Sequence, residues 1–525
     1  MVFKKEKSVK EFTVFLITLL YAYLINYFSG NIGVLPIDSF SFLDTGNIIL
    51  QGNVPIRDFW IFTGLIIDYM QAIFTLFLGK NWNSYLAHSS FMNIIGTAGL
   101  FFFLKELNLK FFYIIFYCIC FATLCYPLSG TPFAYLHAYI FSLLAIFNLL
   151  IAIKKQNNTL WFIFPFICFF AFLSMQTPTI YILFILFLII TYNFFQKKNY
   201  RNLSFFLIGS FSSSILFLLF LIFNKISIID FIYQYVLFPI SIGEERISSG
   251  SAAYIGLKEQ LNFKRIFGEF KFIHIFLTPL IYISFKNLRK NEINLNILNL
   301  TVILCCFAFL FNQLITANQI YIFSLIPILA AILQLNLDQI NLNPKYFFLL
   351  IFLVLFATIK FHYRFNIDRK FHELENINKK NAINANEINK NFNNLKWISK
   401  HDNPKEEIRV IKKAIEIFNE DKRKKILITN YHFMSLVLKQ NFNILNRWYL
   451  WTNDTHPTEN HKYFNYYQAF ASNQFKKNKI EVIYLFGKKN EISLKNIQNY
   501  FVNICFTNDI LIPSKLSKHE IKKCN

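Results

Sequence analysis

For its first 360 or so residues the chain alternates long apolar stretches with short polar joints, and that pattern predicts an integral membrane protein. Apolar runs fall near 12–28, 85–104, 111–129, 133–153, 159–174, 177–195, 203–223, 272–285, 294–315, 319–336 and 345–361. A helix needs about 20 largely apolar residues to cross roughly 30 Å of hydrocarbon, so these runs predict about eleven spans. The stretch from Trp161 to Phe195 is too long for one crossing. Gln176-Thr177-Pro178 is where it should break, because proline disfavours a helical residue before it. The segment 64–79 is apolar but short and carries Asp68, which suits a juxtamembrane or re-entrant helix. Beyond Phe361 the apolar density collapses into an Asn- and Lys-rich connector, 362–400, expected to be helical or flexible. From 401 to 525 a soluble rhythm returns, with buried strands expected at Lys425–Asn430 and Glu481–Phe486 and helices at 431–440 and 491–502. The fold class is therefore a polytopic α-helical membrane protein, 1–361, with a small C-terminal α/β soluble domain.

Composition agrees with this pattern: 55% of the 525 residues are hydrophobic, 66 are Phe, and only 16% are charged. The formal charge of +23 does not point to nucleic acid, because Lys and Arg are spread over loop ends and the tail instead of forming a patch. Their distribution follows the positive-inside rule. With the N-terminus inside, the inner joints carry Lys4, Lys5, Lys7 and Lys10, then Lys105 and Lys110, Lys154 and Lys155, and Lys197, Lys198 and Arg201. The outer joints at 130–132, 175–176 and 316–318 carry none. This places 29–84, 224–271 and everything after about 362 on the outer face, with the N-terminus cytoplasmic. The run 12–28 has no small-residue cleavage site and reads as an uncleaved first helix. Eight Cys show no metal-ligand spacing; Cys505 and Cys524 are the two that could meet in an oxidising compartment.

One stretch departs from the economy of charge in the first half. Between Pro36 and Gly79 lie Asp38, Asp44, Arg57, Asp58 and Asp68. An ionisable group at the bilayer centre costs about 2.5 kcal/mol or more, so such a cluster beside a span needs a loop, a wet cavity or a site. Asp38 lies about ten residues past the first span, within reach of the outer surface, where a carboxylate can act as a general base. Arg57 beside Asp58 offers a fork-shaped cation suited to phosphate or to holding a carboxylate. The bland alternative is a solvated loop in which Asp38-Ser39 caps a helix starting near Phe40.

The same stretch resembles a known family. Asp38, Ser39, Phe42, Gly46, Leu50, Gly52, Pro55, Arg57, Asp58, Phe59, Gly64 and Gly79 match the pattern D-S-x-x-F, then G-x-x-x-L-x-G-x-x-P-x-R-D-F, then a Gly-led apolar run. This resembles the first outer loop of GT-C type membrane glycosyltransferases: protein mannosyltransferases, the aminoarabinose transferase of lipid A, and bacterial relatives that decorate lipopolysaccharide. The resemblance implies that Asp38 is the catalytic base and that Asp44, Arg57 and Asp58 bind substrate. The chain departs from the family at Ile56 (usually Tyr), Thr63 (Lys) and Leu65 (Pro). LSMQTP at 173–178 resembles the family's L-x-K-Q-T segment with Met175 for Lys, and makes Gln176 a donor contact.

Other positions follow more weakly. Relatives carry a second acidic residue between Tyr126 and Tyr139, where this chain offers His137. A lone helical His is more often packed than catalytic. The loop 224–271 holds Glu244, Glu245 and Arg246, with Arg246 a phosphate ligand or a surface partner of either Glu. Gln319 begins a late helix at the outer face, close enough to contact a sugar. In the tail, Asn446, Arg447, Trp448, Tyr449, Asp454, Thr455 and His456 have the look of a carbohydrate surface, although Trp448 and Trp451 suit a domain core equally. The function implied is inverting transfer of a sugar from a polyprenyl-phosphate donor to a glycolipid, glycan or protein acceptor. Membrane lipids are partners, and neither cofactor nor metal is expected, there being no D-x-D in the outer loops. A metal held by Asp38 and Asp44 is the alternative. The rival functions are a flippase or transporter of lipid-linked sugars, which would show two matching halves, and a surface-polysaccharide polymerase or ligase.

Overall fold

The computed structural model describes residues 2–125, 130–248, 257–287, 293–316, 322–339, 345–400, 403–449, 454–487, 504–511 and 516–523. The chain is a helical membrane protein. Among the described residues seven helices are long and apolar enough to cross a membrane: Val9–Ser29, Trp82–Glu106, Ala134–Lys155, Gln176–Lys197, Tyr200–Phe223, Asn294–Ile315 and Tyr346–His372. The remaining apolar runs of the sequence also coincide with helices, Phe111–Cys125, Asn158–Ser174, Lys271–Asn287 and Leu325–Gln339, each shorter than a full crossing. Three of these end against residues outside the description, 126–129, 288–292 and 340–344, and Gln319 also lies outside it.

Trp82–Glu106 and Ala134–Lys155 form the enclosed centre of the bundle, and Tyr200–Phe223 is its most exposed member. That outer helix meets Asn158–Ser174 backbone to backbone. A side chain at Gly209 would sit 2.2 Å from the Phe162 carbonyl oxygen, so only glycine permits the approach. The expected break falls where Pro178 predicts it: Asn158–Ser174 ends, Met175 is extended (φ −164°, ψ 139°), and Thr177 (φ −111°, ψ 136°) interrupts the start of Gln176–Lys197.

Residues 29–84 fold as a compact unit instead of a solvated loop. The helices Pro36–Ser39, Leu43–Leu50 and Leu65–Leu78 bury Phe40, Phe42, Ile56, Trp60 and Ile61. Leu65–Leu78 is inside-out. Its buried face carries Asp68, Gln71 and Thr75, while Ile73, Leu76, Phe77 and Leu78 are exposed, the arrangement expected of a helix whose outer neighbour is hydrocarbon.

The segment 362–400 is an ordered strap and neither a helix nor a tether. After a π turn at Tyr363–Ile367, β1 (Ile383–Asn384) pairs antiparallel with β2 (Lys396–Trp397). The strap then stitches itself to the end of the first helix: Gly33 N–H donates to the Lys396 carbonyl (3.0 Å) and Val34 N–H to that of Ile398 (2.8 Å). Trp397 stacks on Phe40 at 5.8 Å, which buries both rings.

The C-terminal residues build a four-stranded sheet in the order β3-β4-β6-β5, from β3 (Lys425–Thr429), β4 (Val482–Phe486), β5 (Ile504–Leu511) and β6 (Leu516–Lys523). β3 and β4 are parallel, and β6 is antiparallel to both β4 and β5. The first two strands match the expectation from sequence. The helix expected at 431–440 is a single turn, Met434–Val437, because this segment reaches back to the first loop, as described below. The one expected at 491–502 lies outside the described residues. Two helices went unanticipated, Pro404–Glu420 and Phe464–Asn478. The former starts at an Asn403 side-chain cap with Pro404 behind it and buries Ile408, Ile411, Ala414 and Phe418 in a stripe at helical spacing. Cys118, Cys120, Cys125, Cys168, Cys305 and Cys306 are free thiols, and a Cys505–Cys524 pairing falls outside the described side chains.

Candidate active site

The first loop carries four carboxylates, and their surroundings separate them. Asp44 is buried and accepts the backbone N–H groups of Met434 (3.1 Å) and Ser435 (2.7 Å), while its own N–H donates to the His432 carbonyl. It thus caps the Met434–Val437 turn from 390 residues away. Asp58 accepts the Val54 N–H (2.8 Å) and is gripped from two sides, by Arg57 at 2.6 Å and by Lys477 at 2.6 Å. Burial alone would raise its pKa, but the two cations hold it below the ordinary carboxylate range. Asp68 is fully buried, accepting the Thr45 hydroxyl and pairing with Arg447 at 2.7 Å.

Asp38 differs from all three. Its backbone carbonyl accepts the Ser41 hydroxyl (2.6 Å), yet its carboxylate makes neither hydrogen bond nor ion pair among the described residues. It caps nothing: Leu35 precedes the turn without a side-chain cap, and the next helix starts at Leu43 behind Phe42, also uncapped. The capping reading of Asp38-Ser39 is thereby corrected. Partial burial, reinforced by Glu373 on the strap, pushes the Asp38 carboxyl up to about 7. Burial raises Asp44 to about 7 as well, but there the Ser435 and Met434 hydrogen bonds oppose it and occupy the oxygens. Beside Asp38, Ser39 Oγ accepts the Leu35 N–H (2.9 Å) and contacts His372 Nε2 (3.2 Å), so the strap walls one side of this turn.

Arg57 is less available than the sequence suggests. Besides Asp58 it donates to the carbonyls of Asn224 (2.9 Å) and Gly52 (3.4 Å), which makes it a brace between the loops 29–84 and 224–271. Glu244 pairs with Lys462 of the tail at 2.6 Å.

A second feature sits at the helix break. A cavity of about 250 Å³ is lined mainly by apolar groups, Phe62, Phe172, Met175 and Ile180 among them, with Gln176, Thr177, Tyr181, Tyr235, Arg246 and Thr316 as its polar members. Two of the sequence candidates, Gln176 and Arg246, therefore share one space; Asp38 is not among the described residues that line it. Gln176 also holds the wall together, donating to the carbonyls of Phe62 (2.9 Å) and Tyr235 (2.7 Å).

His137 has a partner that sequence inspection missed. Its Nε2 lies 3.1 Å from Nε2 of His88, whose Nδ1 meets the Gln71 amide at 3.0 Å, and Gln71 in turn reaches Thr75. His137 Nδ1–H donates to the Phe133 carbonyl (2.9 Å). Gln71 presents its carbonyl oxygen to His88 and donates its NH₂ to the Thr75 hydroxyl (3.0 Å). Both imidazoles are fully buried, and each faces the other across the bundle.

The tail residues read as a carbohydrate surface are interior instead. Asn446, Arg447, Tyr449, Thr455 and His456 are buried, which corrects that expectation; Trp451 lies outside the described residues. Arg447, read from the sequence as part of that surface, pairs instead with Asp68. The signal was Asp68, a carboxylate in an apolar helix that must find a cation. Among the described residues no group of three or more His, Cys, Asp or Glu is arranged to hold a metal ion. No family model matches the chain, and no curated protein matches it.

Proposed function

We propose that the protein is an inverting glycosyltransferase that moves a sugar from a polyprenyl-phosphate carrier to an envelope acceptor on the outer face of a membrane. The observation that carries this reading is the separation of the loop carboxylates. Asp44, Asp58 and Asp68 are engaged with amides or cations, whereas Asp38 is without a partner among the described residues, partly exposed and poised to gain or lose a proton near neutrality. A general base with a pKa close to the working pH contributes about 10² to 10⁴ in rate. In this reading Asp38 takes the proton of the acceptor hydroxyl or amine as it attacks the anomeric carbon. The phosphate departs with the lipid, so no partner acid is needed, in contrast to glycoside hydrolysis.

The cavity at the helix break supplies the second support. Its apolar walls suit a prenyl chain, and Arg246 and Gln176 suit a phosphate and a sugar hydroxyl. Arg246 is the proposed phosphate ligand because it lines this cavity, which Arg57 does not. The topology that goes with this function has about eleven spans, the N-terminus cytoplasmic, and the two outer loops and an α/β tail on the opposite side. The test is transfer by purified protein in nanodiscs from polyprenyl-phosphate sugars and, in parallel, from nucleotide sugars, with the anomeric configuration of the product read by NMR. Transfer from the lipid donor with inversion supports the proposal. Transfer from the nucleotide sugar alone, or retention of configuration, overturns it.

A further inference from the structure

We propose that the C-terminal segment is a clamp that sets the geometry of the first loop, and that Arg447 is the positioning residue at its centre. Arg447 is buried and sits between the two features described above. Toward the Asp38 side, its guanidinium lies 4.6 Å over the Phe42 ring and pairs with Asp68, which also holds the Thr45 hydroxyl. Phe42 follows Ser41, whose hydroxyl fixes the Asp38 carbonyl, and its own N–H donates to the Tyr85 hydroxyl (3.1 Å). Toward the cavity, Arg447 donates to the Thr63 carbonyl. The Thr63 hydroxyl (3.0 Å) and the Gly64 N–H (2.8 Å) both donate to the Ser174 carbonyl, immediately before the Met175–Gln176 wall. One side chain from the tail therefore ties the turn of Asp38 to the wall of the cavity.

The rest of the interface repeats the theme. Every paired carboxylate of the loop takes a partner from the tail: Asp44 from the Met434–Val437 turn, Asp58 from Lys477, Asp68 from Arg447. Backbone bonds run both ways around Arg447, from Trp60 N–H to the Leu445 carbonyl (2.8 Å) and from Arg447 N–H to the Trp60 carbonyl (3.1 Å). Gln474 donates to the Arg57 carbonyl (2.7 Å). Trp448 packs on both Phe42 and Phe62, the latter a cavity-lining residue. Arg447 touches no reacting atom of the proposed chemistry; it acts by holding the loop.

The catalytic half of this inference rests on the glycosyltransferase reading, and the docking half does not. The experiment therefore has two readouts on the full chain in nanodiscs. Docking is measured without substrate by oxidative cross-linking of an Asn47→Cys/Ser435→Cys pair, whose native side chains are hydrogen-bonded at 2.9 Å. Catalysis is measured as kcat and KM. Arg447→Met should slow cross-linking at least tenfold. Arg447→Lys keeps the charge but loses the fork that reaches Thr63 and Asp68 together. It should cross-link near the wild-type rate and lower kcat by about 10²-fold with KM within about twofold, as expected of misplaced reacting groups. Unchanged cross-linking in Arg447→Met, or an unchanged kcat in Arg447→Lys, overturns the clamp. If Arg447→Met does not accumulate, Asp68→Asn breaks the same pair and carries the same cross-linking expectation. Normal cross-linking in wild type, lost in the variants, with no transfer from any donor would sink the enzyme reading and leave the docking established.

Discussion

Replacing Asp38 by Asn should make the protein more stable as the pH rises, and the size of the effect follows from its surroundings. In the folded chain the carboxyl ionises near 7, against an ordinary value of 3.8. Between those values the folded state holds a proton that the unfolded state has released, so wild-type stability falls as the pH climbs from about 4 to about 7. Below pH 4 both states are protonated and the penalty vanishes. A gap of about three pH units corresponds to a ceiling of about 4 kcal/mol, which the partial exposure of the group reduces. Between pH 5 and pH 8 the wild type should therefore lose up to about 2 to 3 kcal/mol relative to Asp38→Asn. Unfolding of both proteins in detergent, followed by tryptophan fluorescence across that range, measures the difference. A gap that widens with pH supports a partly buried base with a raised pKa. A gap independent of pH, or one that favours the wild type at pH 8, refutes the reasoning, because it would mean that folding does not raise the pKa of Asp38.

Other consequences are separately testable. If Asp38 is the base, kcat/KM should rise roughly tenfold between pH 6 and pH 8, whereas a carboxylate of ordinary pKa would leave it flat; a pH–rate profile decides. Gly64→Ala should cost about 2 to 5 kcal/mol in the same unfolding assay, since Gly64 has φ +72° and an added Cβ would stand 2.5 Å from the Phe42 ring and 3.0 Å from Arg447. Asp44→Ala should cost about 2 to 4 kcal/mol by stripping two amide donors of a buried partner, and should remove Asp44's share of the loss of stability between pH 4 and pH 7 while leaving that of Asp38 in place. Ile180→Trp, which fills the cavity at the helix break, should raise KM for a lipid-linked donor at least fivefold and spare the acceptor KM.

Much of the membrane domain was legible because apolar runs and a proline are local signals. The break before Pro178 and the strands at 425 and 482 were visible in a few consecutive residues. The stripe of Pro404–Glu420 was equally local, but its Ile and Phe positions are diluted by Lys and Glu in an Asn- and Lys-rich region. The character of each loop carboxylate was not legible. Asp38, Asp44, Asp58 and Asp68 look alike in sequence, and what distinguishes them lies hundreds of residues away: Ser435 for Asp44, Lys477 for Asp58, Arg447 for Asp68. The same distance hid His88 behind His137 and turned a presumed carbohydrate surface into an interface. Ile56 shows a further limit: a β-branched residue at φ +74°, held by the Phe59 carbonyl and Gln234, is a conformation that no propensity predicts.

The most direct test of the central claim is sugar transfer by wild type and by a folded Asp38→Asn variant, side by side, from polyprenyl-phosphate sugars to membrane glycolipid acceptors. The account predicts that transfer falls by at least about 10²-fold in Asp38→Asn while donor binding is retained. Transfer that survives the substitution would contradict it and remove Asp38 from the chemistry.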